Sequence, residues 1–261
     1  MRADMICPKC QFEQGEESLE CIRCGIIFKK YLRHTIVMPS KNTNVQKRIS
    51  SSASNQDEEK TLFFKDIFLY TQPHINPLYF VGRVIVYIFI FIFGWKFIFS
   101  SIESNYVGSA FMHLINLPFH EAGHVFFRPF GRFIMMLGGS LGQLIIPFIC
   151  FIFFLVKMRD TFAASVTLWW LGESFIDLAP YINDARSLKL ILIGGVTGRD
   201  VPDYHDWEFI LRKLGWLHYD HALALTAKSI GTLLILIAFV WAGYLLLKQF
   251  KNIDLSFNTV H

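Results

Sequence analysis

The chain has 261 residues, of which 53% are hydrophobic and only 18% charged. A soluble domain averages about 25% charged residues, so this balance excludes an ordinary water-soluble domain and predicts a mainly α-helical, polytopic membrane bundle. A formal net charge of +4, with no polybasic tract, argues against nucleic acid as a partner and leaves the basic residues as markers of membrane orientation.

The chain opens MRADMICPKC, which lacks the apolar core of a secretory signal peptide, so the first segment is expected to stay in the compartment where it is made. Four cysteines follow as two CxxC pairs, Cys7 with Cys10 and Cys21 with Cys24, ten residues apart. Four thiolates so spaced are the ligand set of a closed structural zinc site, and Gly25 suits the tight turn of such a knuckle. A segment this small builds little hydrophobic core, so metal binding would supply most of its folding free energy. Residues 1–34 are therefore predicted to form a four-cysteine zinc ribbon, with reduced cysteines in the cytoplasm, that docks a cytosolic protein partner or stabilises the N-terminus. Cys150 lies in an apolar run and reads as a small core residue.

Residues 35–60 are rich in Ser, Asn, Gln and charge and read as a flexible linker; residues 61–78 mix aromatics with charge and proline and suit the membrane surface. Apolar segments at about 79–99, 107–127, 133–156, 161–182 and 223–247 are each long enough to cross about 30 Å of hydrocarbon. This predicts about five spans within a 61–261 domain. Arg128 and Arg132 follow the second segment, while Arg186, Lys189, Arg199, Arg212 and Lys213 follow the fourth. By the positive-inside rule the N-terminus, the 128–132 turn and the 185–222 loop are expected in the cytoplasm, although Lys157, Arg159, Lys248 and Lys251 point the other way. Within that loop Trp207, Ile210, Leu211 and Leu214 recur at helical spacing, which predicts a short amphipathic helix on the membrane surface. His205 and Asp206 at its start either cap the functional site or, more simply, begin the helix.

The second apolar segment contains His120-Glu121-Ala122-Gly123-His124. On a helix the two histidines of HExxH share a face and can hold one Zn²⁺, with the glutamate as general base. His113 falls on the same side and Asn116 one turn before His120. Ionisable groups are costly in hydrocarbon without a task, so water-requiring chemistry within the membrane is the leading expectation. A catalytic zinc needs a third protein ligand. Glu173, Asp177 and Asp184 in the fourth segment are spaced to share a helix face, and a bend at Pro180 could direct Asp184 to the metal. Glu173 and Asp177 form an ExxxD pair, which keeps them open as an alternative ligand and its supporting partner.

In this order the motifs resemble the site-2 protease family of intramembrane zinc metalloproteases. HEAGH stands in 107–127, Pro180 and Asp184 end the segment two helices later, and GGSLGQLIIP at 138–147 is similar to the family's glycine-rich stretch ending in an amide. The resemblance covers a core of about 107–186, with Ala185, Asp177 and Gln143 departing from the family pattern. It implies His120, His124 and Asp184 as ligands of a catalytic Zn²⁺, Glu121 as the catalytic base, and cleavage of a membrane-protein substrate in or near a transmembrane segment. Asn116, Gln143 and Asn183 are then candidates to bind substrate or stabilise the oxyanion. The glycines at 138–142 either expose backbone for an extended substrate or permit close helix packing. The competing expectation is a non-proteolytic membrane protein that binds metal and recruits a partner through its ribbon. Glu121 argues against it, because a structural zinc site needs no base.

Overall fold

The computed structural model describes residues 4–7, 13–15, 20, 21, 24, 27, 65, 67–72 and 75–253, and the chain divides into two units, Met1–Glu58 and Glu59–His261. In the first unit β1 (Asp4–Ile6) pairs antiparallel with β2 (Glu13–Gly15), Met5 opposite Gln14. An isolated antiparallel bridge joins Glu20 and Ile27. Cys7 directly follows β1, and Cys21 and Cys24 fall between the two bridge residues, so each reversal of the chain delivers cysteine to one place. Cys10 and the 35–60 linker lie outside the described residues.

The second unit is helical. It comprises α1 (Pro77–Phe99), α2 (Phe111–Phe127), α3 (Arg132–Ile152, extended by a wide turn over Phe153–Lys157), α4 (Thr161–Asn183), α5 (Asp206–Leu214) and α6 (Asp220–Phe250). Among the described residues, three helices are long and apolar enough to cross a membrane: α1, α3 with its extension, and α6 from Leu217. The second and fourth apolar segments do not meet that standard, for different reasons. α2 has only 17 residues. α4 has 23 but is packed against α1, α2, α3 and α6 and buries Thr161, Ser165, Thr167, Glu173, Ser174 and Asp177. A helix enclosed by protein can carry polar groups on an inward face.

Small residues set the helix spacing. A Cβ added to Gly172 would meet the Gly231 carbonyl oxygen at 2.8 Å, and one on Gly231 would strike that of Gly172, so the backbones of α4 and α6 are in contact there. Around this seam Phe97, Trp169, Ile176, Ile235 and Phe239 form the main apolar cluster. Between α2 and α3, Gly123 faces Gly138 and Gly142 faces the Phe119 carbonyl so closely that neither pair has room for a Cβ. These pairs step in opposite directions along the chain, so the two helices run antiparallel from the tight turn at Gly131, whose φ of 92° favours glycine. Of the two readings of the 138–142 glycines, the structure shows close packing.

The two ends of the bundle are chemically distinct. At one, Arg132 pairs with Asp203 and α5 lies on the start of α3. At the other, the Leu69 and Gln72 carbonyls accept from Lys248 and Asn252, the Tyr70 carbonyl accepts from Thr161, and Arg83 pairs with Asp160. Residues entering α1 and residues leaving α6 therefore share one end. Ser100, at the C-terminal end of α1, accepts from Lys228 of early α6, and Arg132, after the 128–131 turn, pairs with Asp203, so the end of α1 and the start of α3 both lie toward the other half. The five-span expectation places the segments at 69–72 and 248–252 on opposite sides; the structure brings them together.

Candidate metal centre

The histidines of HEAGH sit one turn apart on α2, with ring centroids 4.9 Å apart. Each has its Nδ1 against an acceptor: His124 Nδ1 is 2.8 Å from the Met135 carbonyl oxygen and His120 Nδ1 is 3.3 Å from Gln143 Oε1. Nδ1 thus carries the hydrogen in both rings, and each Nε2 is left with a lone pair. Both Nε2 atoms face one carboxylate oxygen, Oδ2 of Asp206, at 3.0 and 3.2 Å. His120, His124 and Asp206 form one of two groups among the described residues whose ligand atoms lie within 4.8 Å of one another.

A tetrahedral zinc with ligands at about 2.0–2.2 Å sets those atoms about 3.3–3.6 Å apart, close to the spacing seen. Gly139 supplies the space, because a Cβ there would stand 2.5 Å from both Nε2 atoms. The residues present therefore fit a divalent cation in a notch that any larger side chain at 139 would fill. The cysteine cluster of the first unit passes a similar test. Sγ of Cys7 and Cys24 are 3.7 Å apart, where thiolates at about 2.3 Å from a tetrahedral zinc would stand about 3.8 Å apart, and Cys21 completes the described group.

The third acidic group comes from α5, not from α4. His205 caps α5, its Nδ1 accepting from the Glu208 amide, so the residue expected to begin the helix, Asp206, is released to turn inward. Its own amide donates to the Tyr181 hydroxyl at 2.9 Å. Trp207 Nε1 donates to Ser140, and Phe209 and Ile210 pack on Met136. The helix stops at Gly215 (φ 70°), where the Gly215 and Trp216 amides return to the Arg212 and Leu211 carbonyls.

Asp184 is corrected as the third ligand. α4 continues through Pro180 to Asn183, and Asp184 then folds onto its own loop, accepting from the Lys189 and Leu190 amides at 2.9 Å and from Ser187. His205 Nε2 stands 3.5 Å away without hydrogen-bonding geometry. Burial raises the Asp184 carboxyl, yet the surrounding donors prevail and lower it to about 2.

Glu173 and Asp177 are also not beside the histidines of HEAGH as ligands. Asp177 accepts from His113, Asn116 and Gln143, and Glu173 accepts from Asn116. Asn116 is 1% exposed and receives bonds from Trp170 and Ser174 as well, so it is a structural bridge and has no free group for an oxyanion. Gln143 is committed between His120 and Asp177. Asn183 is half-buried and does not line the cavity at the site.

That cavity, about 600 Å³ in volume, is lined by His113, His120, Glu121, His124, Asp206 and Tyr181, together with Leu190–Ile193 of the following loop. Glu121 is exposed to it. The arrangement offers a notch able to hold a cation, a carboxylate on the accessible side and a partly open cavity beside them. The sequence carried one usable signal for Asp206: an acidic residue at the start of an amphipathic helix whose apolar face had to find a partner.

Comparison with protein-family models, curated proteins and solved structures returns no match. The fold and site define a helical protein with three membrane-type helices and two clusters able to hold a metal.

Proposed function

We propose that the chain is an intramembrane zinc metalloprotease of the site-2 protease type, with His120, His124 and Asp206 as ligands and Glu121 as general base. The observation that carries this reading is the convergence of both Nε2 atoms and one carboxylate oxygen on the Gly139 notch, with Glu121 on the same cavity. When bound, zinc polarises a carbonyl oxygen and lowers the pKa of water toward about 7. Glu121 takes the proton of the attacking water and delivers it to the departing amine nitrogen. His120 and His124 keep their protons on Nδ1 throughout, through Gln143 and Met135. The substrate is a transmembrane or juxtamembrane segment of another membrane protein, locally unwound because a helical backbone hides its carbonyls. Four helices cross the bilayer, α1, α3, α4 and α6, with α2 entering and leaving on one side. The ribbon, holding zinc through Cys7, Cys10, Cys21 and Cys24, docks a protein partner.

The test is Glu121→Gln. Zinc content and membrane insertion are expected to match wild type while cleavage is lost, so that in membrane proteomes of cells carrying the variant a single-span protein accumulates at full length. Normal processing of every membrane protein by that variant would remove the base from its role and the protease reading with it.

A further inference from the structure

We infer that Asp177 is a positioning residue for the metal centre, acting through the Gln143 amide to decide which nitrogen of His120 carries the proton. The inference rests on the metal-site reading above and extends it from the ligands to the residues that orient them.

Asp177 is 2% exposed in its side chain and belongs to α4. Its Oδ2 accepts from Gln143 Nε2 at 2.8 Å and from Asn116 Nδ2 at 3.2 Å, while Oδ1 accepts from His113 Nδ1 at 2.9 Å. An ionised carboxylate can only accept, so the Gln143 amide must turn its NH₂ group toward α4. The Ser174 carbonyl, 3.4 Å from the same nitrogen, is a weaker acceptor on that side. The amide oxygen is thereby left facing His120 Nδ1 at 3.3 Å. An oxygen there requires hydrogen on Nδ1, which puts the lone pair of His120 on Nε2, the atom beside Asp206 and the Gly139 notch. One carboxylate on α4 thus sets the tautomer of a ligand on α2 through a side chain on α3. Outer hydrogen bonds of this kind typically change metal affinity about 10–100-fold. The same chain accounts for two intramembrane polar groups, Asp177 and Gln143, that the proton transfers of Glu121 do not use.

The polarity of the chain can be reversed and restored. Asp177→Asn keeps the shape but introduces a donor, which lets the Gln143 amide flip, present NH₂ to His120 Nδ1 and drive hydrogen onto Nε2. Adding Gln143→Glu replaces that amide with a group that only accepts, from the new donor on one side and from His120 Nδ1–H on the other. The experiment is a zinc competition titration of the full chain in lipid nanodiscs, with the component that His120→Ala removes taken as the site's own. Asp177→Asn is expected to weaken that component about 10–100-fold, and Asp177→Asn with Gln143→Glu to recover most of the loss. A purely structural Asp177 would leave the double variant as weak as the single one, and that result overturns the inference, as does wild-type affinity for Asp177→Asn. If Asp177→Asn does not fold, Gln143→Met carries the test: the same weakening supports the chain, and unchanged affinity refutes it. Unchanged zinc stoichiometry in His120→Ala would instead overturn the metal-site reading itself.

Discussion

Gly139 shows how much of the site depends on an atom the chain lacks. A Cβ at this position would stand 2.5 Å from both imidazole Nε2 atoms, inside the space a cation needs, and α2 cannot retreat because Gly123 and Gly138 already hold its backbone against α3. Gly139→Ala should therefore abolish zinc binding at the histidine site while the ribbon still holds its metal, so that zinc per chain falls by one equivalent; retention of full zinc content would show that the cation sits elsewhere. HEAGH was legible in the sequence because the placing of its two histidines on one face is fixed by the 3.6-residue period of one helix. Gly139 was not legible as a metal notch: the GGSLG run suits both close packing and an open backbone, and only the position of the facing histidines separates Gly138, which meets backbone, from Gly139, which meets nitrogen.

At the scale of the element, Asp184 and Asp206 exchanged their expected roles, and the reason lies in how helix ends are satisfied. The sequence puts an aspartate at the end of α4 and another at the start of α5, either of which can serve its own backbone or turn away from it. Asp184 takes the backbone role, collecting the Lys189 and Leu190 amides in the loop after α4, whereas His205 caps α5 and frees Asp206. One residue's capping choice thus decided which carboxylate joins His120 and His124, a tertiary outcome that no spacing along α4 could announce. The consequence is a pH dependence confined to the 185–205 loop. Because the folded Asp184 carboxyl lies at about 2, below its ordinary 3.8, its stabilisation is complete above the ordinary value and fades as pH falls toward about 2. Hydrogen exchange of the Lys189 and Leu190 amides, corrected for intrinsic rate, should accelerate across that acid window in wild type. In Asp184→Asn it should already be fast at neutral pH, with zinc at the histidine site retained; loss of that zinc with an unchanged loop would return Asp184 to the ligand set.

For the whole molecule, hydropathy measures what a helix can enter and not whether it crosses, and of the five apolar segments α1, α3 and α6 are, among the described residues, the helices long and apolar enough to span. α2 is bracketed by Ser100, bonded to early α6, and by Arg128–Gly131 leading into α3, so the chain enters and leaves this stretch in the same half of the bundle. The bonds from Asn252 and Lys248 to Gln72 and Leu69 bring the residues entering α1 and leaving α6 to one end, as an even number of passes requires and as the proposed crossing by α1, α3, α4 and α6 provides. The basic residues Arg128, Arg132, Arg186, Arg199, Arg212 and Lys213 gather at the end of the bundle where His120, His124 and Asp206 meet, the end for which the positive-inside rule predicts a cytoplasmic position. Single reporter cysteines substituted at Gln72, Arg199 and Lys251, in a background with Cys150 replaced and the ribbon cysteines zinc-protected, separate the two topologies with a membrane-impermeant thiol reagent. Gln72→Cys and Lys251→Cys should label from one side and Arg199→Cys only from the other. Labelling of Gln72→Cys and Lys251→Cys from opposite sides would restore the odd number of crossings and require α2 to span.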